Sequence, residues 1–203
     1  ERGATVVQVG AGTEMATRAP GAFQRRNFAT ARVAAEAFLK RPLDRGLAAQ
    51  VAATVTVPGR LELIAEGPPI YLDAAHNPAG AAALAESLPA VAAGQRVVAC
   101  LAIIADKDAA AMIAALAPAL DRVVCTELPA AALEGHGRPG ARSHPAAELA
   151  ALCERVGLRA EAEPRLEAAL ERARSLALGP PEGVLLIAGS HYAIAPARAF
   201  LAA

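Results

Sequence analysis

A chain of 203 residues, 55% hydrophobic but only 3% aromatic and without Trp, can bury one good core built from Ala, Val, Leu and Ile. Acids and bases number 20 each, so the net charge is zero, and nothing argues for a nucleic acid or an anionic membrane as partner. Cys100, Cys125 and Cys153 are odd in number and far apart in apolar runs, which predicts buried small hydrophobes in a reducing compartment. No CxxC or HxxxH spacing marks a metal site. The alanine-rich helices are broken by charge or proline short of a membrane span, and no signal-peptide pattern is present. The expectation is a cytoplasmic protein. Because the sequence starts at Glu1 and leads at once into Ala4–Val9, it is expected to be cut from something longer.

Taken in order, Ala4–Val9 reads as a strand, followed by the Gly10-Ala-Gly12 turn and a polar loop ending Ala19-Pro-Gly21. A helix is expected over Arg26–Leu39, with Phe28, Ala31, Ala35 and Phe38 on one face. Arg41-Pro42 stops it, and a shorter helix spans Leu43–Ala52. A domain boundary falls near Pro58, giving 1–57 and 58–203, because the pattern there changes from a helix pair to alternation.

Beyond Pro58 the strands are Leu61–Ile64, Ile70–Leu72, Arg96–Ile103, Arg122–Thr126, Leu158–Ala162 and Val184–Ala188. Helices Ala79–Val91, Ala109–Leu120, Pro145–Val156 and Leu166–Leu176 separate them, and a short one closes the chain at Leu201. This rhythm predicts an α/β fold, a mostly parallel sheet covered on both faces. Residues 127–144 form the longest loop, carrying His136, Arg138, Arg142 and His144, and the two histidines read as solvated side chains.

Ile70-Tyr-Leu-Asp73-Ala-Ala-His76-Asn77-Pro78 carries the chemistry. Asn is a favoured N-cap and Pro suits the first helical position, so Asp73 and His76 stand between a strand end and a helix start. Open α/β sheets bind ligands there. A carboxylate can accept both hydroxyls of a vicinal diol such as ribose. An imidazole near the helix end can meet a phosphate or a carboxylate. Asp106-Lys107-Asp108 repeats the strand-to-helix placement, although helix capping explains the acids equally well. Ser190 ends the last strand at the same edge, either as a cap or as a ligand contact. Gly10-x-Gly12 lacks the third glycine of a dinucleotide loop, since position 15 is Met15. No G-x-x-x-x-G-K-[ST] loop occurs.

In combination, Gln24-x-x-Asn27, Pro58-Gly-Arg60-Leu-Glu62, Asp73-Ala-Ala-His76-Asn-Pro78, Asp106-Lys-Asp108 and Gly189-Ser190-x-Tyr192 resemble the C-terminal part of folylpolyglutamate/dihydrofolate synthases of the Mur-ligase superfamily. The resemblance implies a Rossmann-like C-terminal ligase domain over 58–203, preceded by the helical tail of a central ATP-binding domain. It implies an ATP-dependent amide ligase of folate (one-carbon) metabolism that joins L-glutamate to folate or dihydropteroate through an acyl phosphate. The parent would be monomeric, with Mg²⁺ ligands and P-loop in its N-terminal part, and this chain alone would be inactive.

By the same resemblance Asn27 would meet the adenine, Arg60 the phosphate side and Asp73 the ribose. His76 and Ser190 would lie at the phosphate and glutamate end, and no residue here would be an acid or base. Closure of the domain would bring Arg60 and Asp73 to ATP. Two positions depart from the family: Phe23 stands where a His is usual, and His191 where an aliphatic residue is usual. The alternatives are a Mur-type peptidoglycan-precursor ligase domain or a free-standing nucleotide-binding module.

Overall fold

The computed structural model describes residues 6–10, 15–133 and 140–202. It divides into two compact units, Glu1–Val57 and Pro58–Ala203.

The first unit holds α1 (Ala22–Leu39) and α2 (Arg45–Thr54). Gly21, at φ 99°, leads into α1, and Lys40 ends it in the left-handed region with its N–H returned to Glu36. Asp44 caps α2 by accepting the Leu47 N–H at 2.8 Å. Two expectations fail here. Residues 6–10 form no strand, since no strand of this unit lies among the described residues to pair with them, and Gly12 lies outside those residues. The expected apolar face of α1 is also not buried. Gln24 and Ala29 are the buried residues of α1, whereas Phe38 is 86% exposed. The ten-residue α2 is too short to cover an eighteen-residue helix.

The second unit runs β1 (Glu62–Glu66), β2 (Pro69–Leu72), α3 (Pro78–Ala92), β3 (Val97–Leu101), α4 (Ala109–Leu116), β4 (Arg122–Cys125) and α5 (Ala130–Leu133). It continues through α6 (Ala146–Arg155), β5 (Arg159–Ala162), α7 (Leu166–Leu178), β6 (Val184–Ala188) and α8 (Ile194–Ala202). The sheet order is β1-β2-β6-β3-β4-β5. β1 is antiparallel to β2, and every other pairing is parallel.

β6 therefore returns to the middle of the sheet, between β2 and β3. It and β3 are buried along their whole length, as continuous apolar runs in a covered parallel sheet should be. One face, with Ile70, Leu72, Val98, Cys100, Val124, Leu185 and Ile187, packs on α7 and α8. Ala169, Ala173 and Ala177 give α7 a small-residue stripe for close approach. Helices α3, α4 and α6 pack on one another along the opposite side.

The central strands converge closely where they end. Gly189 has φ 102°, and a Cβ there would stand 2.5 Å from the Ala102 carbonyl oxygen. The Ala102 N–H donates to the Ala188 carbonyl at 3.2 Å. Only glycine fits this crossing.

The described parts of the long loop hold regular structure. The loop contains α5, and its end pairs with the β3 extension through Ala105 N–H to Arg142 O and His144 N–H to Ile103 O, both 2.8 Å. His144 is half-buried, with Nε2 3.3 Å from the Lys107 carbonyl oxygen. His136 and Arg138 lie outside the described residues.

The cysteines are core residues. Cys100, Cys125 and Cys153 are free and at most 1% exposed, and burial pushes the Cys100 thiol up to about 12. An aromatic disulfide reagent at pH 8 is therefore expected to find no reactive thiol in the folded chain and three after denaturation in urea. Titration of the folded protein at a free-thiol rate would contradict this packing. Gly189→Ala is expected to lower unfolding free energy by about 2 kcal/mol or more, read from urea titrations.

Candidate functional site at the carboxyl edge of the sheet

β2 delivers Asp73 to the carboxyl edge, where its own N–H donates to Ile187 O of β6 at 3.0 Å. The side chain is 2% exposed. Its Oδ2 accepts the Leu61 N–H and its Oδ1 the Ala75 N–H, each at 2.7 Å. Burial raises the Asp73 pKa, while the two N–H donors and the nearby Arg60 charge pull the other way.

The same segment holds the chain where it enters the second unit. The Ala74 N–H donates to Gly59 O at 2.7 Å, and the Gly59 N–H donates to Glu62 Oε2 at 2.7 Å. Arg198 of α8 grips both oxygens of Glu62. A Cβ on Gly59, which has φ 66°, would press on Ile194 at 3.2 Å. Leu61, fully buried, sits at φ 47°, a left-handed conformation that costs a branched residue about 1 kcal/mol or more. The turn from Gly59 to Glu62 is thus fixed on both sides. It carries Arg60 half-buried, with no hydrogen-bond partner among the described residues.

Beyond Asp73, Asn77 Oδ1 accepts the Gly80 N–H at 2.7 Å and Pro78 occupies the first turn of α3, as expected. His76 places Nδ1 3.0 Å from Ala74 O. A carbonyl partner requires the proton on Nδ1, which leaves Nε2 for a ligand. The His76 ring stands edge-on to His191, with centroids 4.6 Å apart at 63°. His191 thus supplies a second imidazole beside His76. Ser190 is fully buried, and its Oγ accepts the Tyr192 N–H at 3.2 Å, which makes it the cap of the closing helical turn. Asp108 likewise caps α4 through the Ala111 N–H at 2.9 Å. Lys107 Nζ lies 3.4 Å from Asp106.

Arg60, Asp73, His76 and Ser190 all belong to the second unit and cluster around the β2 and β6 ends. Asn27 belongs to the first unit. There it is exposed, donates to Gln24 Oε1 at 3.3 Å and lines a cavity of about 230 Å³ with Thr17, Phe28, Ala31 and Val55. Gln24 lines the same cavity, is 6% exposed, and its Nε2 has no hydrogen-bond partner among the described residues. An unsatisfied buried donor costs about 1–3 kcal/mol, so this amide hydrogen remains available to a further hydrogen-bond acceptor. The spacing Gln24-x-x-Asn27 was the available signal, but the orphaned amide is visible only in the structure. No group of three His, Cys, Asp or Glu gathers to hold a metal ion among the described residues.

The family described as Mur ligase, glutamate ligase domain, matches residues 59–191. The chain belongs to this family. Among curated relatives, the dihydrofolate synthase/folylpolyglutamate synthase of Mycobacterium tuberculosis is 41% identical over 110 residues, 52% of this chain and 23% of that protein. The Bacillus subtilis counterpart is 37% identical over 91 residues, 43% of this chain and 21% of that protein.

Of solved structures, M. tuberculosis folylpolyglutamate synthase complexed with ADP and AMPPCP superposes with a TM-score of 0.75 at 34% identity, covering 91% of this chain and 41% of that one. The Yersinia pestis bifunctional synthase with Mn, AMPPNP and L-glutamate gives a TM-score of 0.65 at 26% identity, covering 86% and 39%. The chain spans well under half the length of these relatives.

Within this ligase domain Asp73 holds two backbone donors that water cannot reach. Asp73→Ala is expected to cost about 3 kcal/mol of unfolding free energy, and Asp73→Asn, which keeps one acceptor, about half of that. Urea unfolding measures both, and a cost below about 0.5 kcal/mol for Asp73→Ala would remove the carboxylate from its structural role.

Proposed function

We propose that this chain is the C-terminal part of an ATP-dependent ligase that adds L-glutamate to folate or dihydropteroate, with Asn27, Arg60 and Asp73 on the nucleotide and His76 and Ser190 at the substrate end. The observation that carries the reading is Arg60. Its guanidinium, near the Asp73 charge, has no hydrogen-bond partner among the described residues and sits on a turn fixed by five hydrogen bonds, at the sheet edge where α/β folds take ligands. A permanent cation held ready in this way suits phosphate oxygens. The relatives support it, since the M. tuberculosis and Y. pestis enzymes were crystallised with adenine nucleotides, the latter also with L-glutamate.

The residues fit a nucleotide. The small cavity in the first unit offers the unpaired Gln24 amide and the exposed Asn27 amide, which suit the hydrogen-bonding edge of a purine. Asp73 keeps one free lone-pair direction on each oxygen, but it is enclosed by the Arg60 turn. Its first duty is therefore to position Arg60, and its remaining lone pairs are what it would offer a ribose hydroxyl. Ser190 acts through the backbone of the Ser190–Ala193 turn, and His76 presents Nε2.

In the reaction a folate or pteroate carboxylate oxygen takes the γ-phosphoryl group of ATP, releasing ADP. The glutamate amine then attacks the acyl carbon and phosphate leaves. Positioning and charge neutralisation dominate such chemistry. Arg60 neutralises phosphate charge, and His76 steadies the anionic substrate end. We assign Mg²⁺ and the P-loop to the part of the ligase upstream of this chain. A monomeric, cytoplasmic parent completes the reading.

Two outcomes test it. In the full-length ligase, Arg60→Ala is expected to raise the KM for ATP at least about tenfold, equivalent to about 1.4 kcal/mol, with the KM for glutamate unchanged. Unchanged ATP parameters would withdraw Arg60 from the site. The ¹⁵N-labelled 203-residue chain alone, titrated with ATP and Mg²⁺, is expected to show no affinity tighter than about 1 mM at Arg60, Asp73 and His76, and micromolar binding that perturbs those residues would favour a free-standing nucleotide module instead.

A further inference from the structure

At the opposite end of the sheet, where β3, β4 and β5 begin, a cavity of about 650 Å³ is lined by Arg96, Arg122, Arg159 and Arg172. Two carboxylates, Asp121 and Glu161, are close by. The whole protein has no net charge, yet four of its eighteen arginines converge on this one cavity.

The acids do not neutralise them. Asp121 Oδ2 accepts the Val97 N–H at 2.7 Å, a backbone duty at the start of β3. Glu161 takes a two-point grip from Arg172, at 2.6 and 3.0 Å, and lies 3.8 Å from Arg122. One carboxylate is thereby shared between two guanidinium groups. Arg96 donates to the carbonyls of Leu176, at 2.6 Å, and of Gly179 and Pro181, closing the end of α7. Carbonyls satisfy its hydrogens but leave its charge uncompensated. Arg159 has no hydrogen bond or ion pair among the described residues. Arg122 and Arg159 are also register partners on adjacent parallel strands, so their side chains leave the same face. Like charges placed this way repel and destabilise the pairing.

Glu161 shows what the geometry accepts, an oxyanion seated between two arginines. The surplus of two positive charges, with an unpaired guanidinium beside it, calls for another. We propose that this cavity is a binding site for a small molecule carrying two or more oxyanion charges, gripped mainly by Arg159 and Arg122. Bidentate guanidinium contacts serve phosphate and carboxylate alike, so the shared chemistry is a multivalent oxyanion. The site is independent of the ligase reading and lies at the other end of the strands from Asp73.

The test titrates the ¹⁵N-labelled 203-residue chain at low ionic strength with inorganic pyrophosphate and, separately, with a γ-linked tetraglutamate. The expected result is saturable binding of at least one probe with Kd below about 1 mM, perturbing the Nε–H signals of Arg122 and Arg159 and fading as salt rises. Arg159→Gln and Arg122→Gln are each expected to weaken it at least about fivefold while leaving the rest of the spectrum in place. Pyrophosphate alone binding identifies a phosphorylated ligand, tetraglutamate alone a carboxylate-rich one, and both together a site for oxyanion charge of either source. Three results overturn the proposal: no saturable binding of either probe, perturbations confined to Asp73–Asn77 and Ser190, or full affinity in Arg159→Gln.

Discussion

A buried carboxylate must have its oxygens occupied, and in this domain that requirement shapes the candidate site. Asp73, 2% exposed, meets it with the N–H groups of Leu61 and Ala75. The first of these bonds ties the strand end to the entry turn of the domain, and the second folds Asp73 back toward the start of α3. Removing the carboxylate orphans two donors at once, so the position is held by physics before any ligand arrives. Leu61 accepts a left-handed backbone because Asp73 takes its N–H and the core takes its side chain. What the constraint leaves presented at the sheet edge is the half-buried Arg60.

The fold delivers that arrangement. β6 returns between β2 and β3 and brings Ser190 beside Asp73, through the hydrogen bond from the Asp73 N–H to Ile187. Gly189 allows the central strands to close without a clash. α8 then returns Arg198 to Glu62, so the last helix braces the first turn of the domain. The two ends of the sheet have different characters. At the carboxyl edge Arg60 is presented beside the sealed Asp73, and at the amino edge arginines crowd around too few acids.

The parallel sheet was legible because the central strands β3 and β6 are continuous apolar runs and α3 and α4 start at recognisable caps. Asn77 and Asp108 cap α3 and α4 as their positions suggested. The family was legible for a different reason: its motifs are short, ordered along the chain and tied to strand ends. Three things were hidden. The fixed Gly59–Glu62 turn depends on partners 12 and 136 residues away, beyond any local pattern. The His76–His191 contact joins two segments that only the return of β6 brings together. The expected α1 face misled because helical periodicity identifies an apolar stripe without saying what covers it, and Phe38 stands 86% exposed. The strand expected at Ala4–Val9 fails where it can be seen, since β-propensity without a neighbour makes no sheet.

The central claim is that Asp73 fixes the turn that presents Arg60, and amide hydrogen exchange of the Leu61 N–H tests it most directly. The account predicts that this amide is protected in the wild-type chain to a degree comparable with β6. In Asp73→Ala, which leaves no acceptor, it should exchange at least about tenfold faster, and by a larger factor than the amides within β3 and β6. A Leu61 amide that exchanges at an open-loop rate in the wild type, or that does not respond to the substitution, would contradict it.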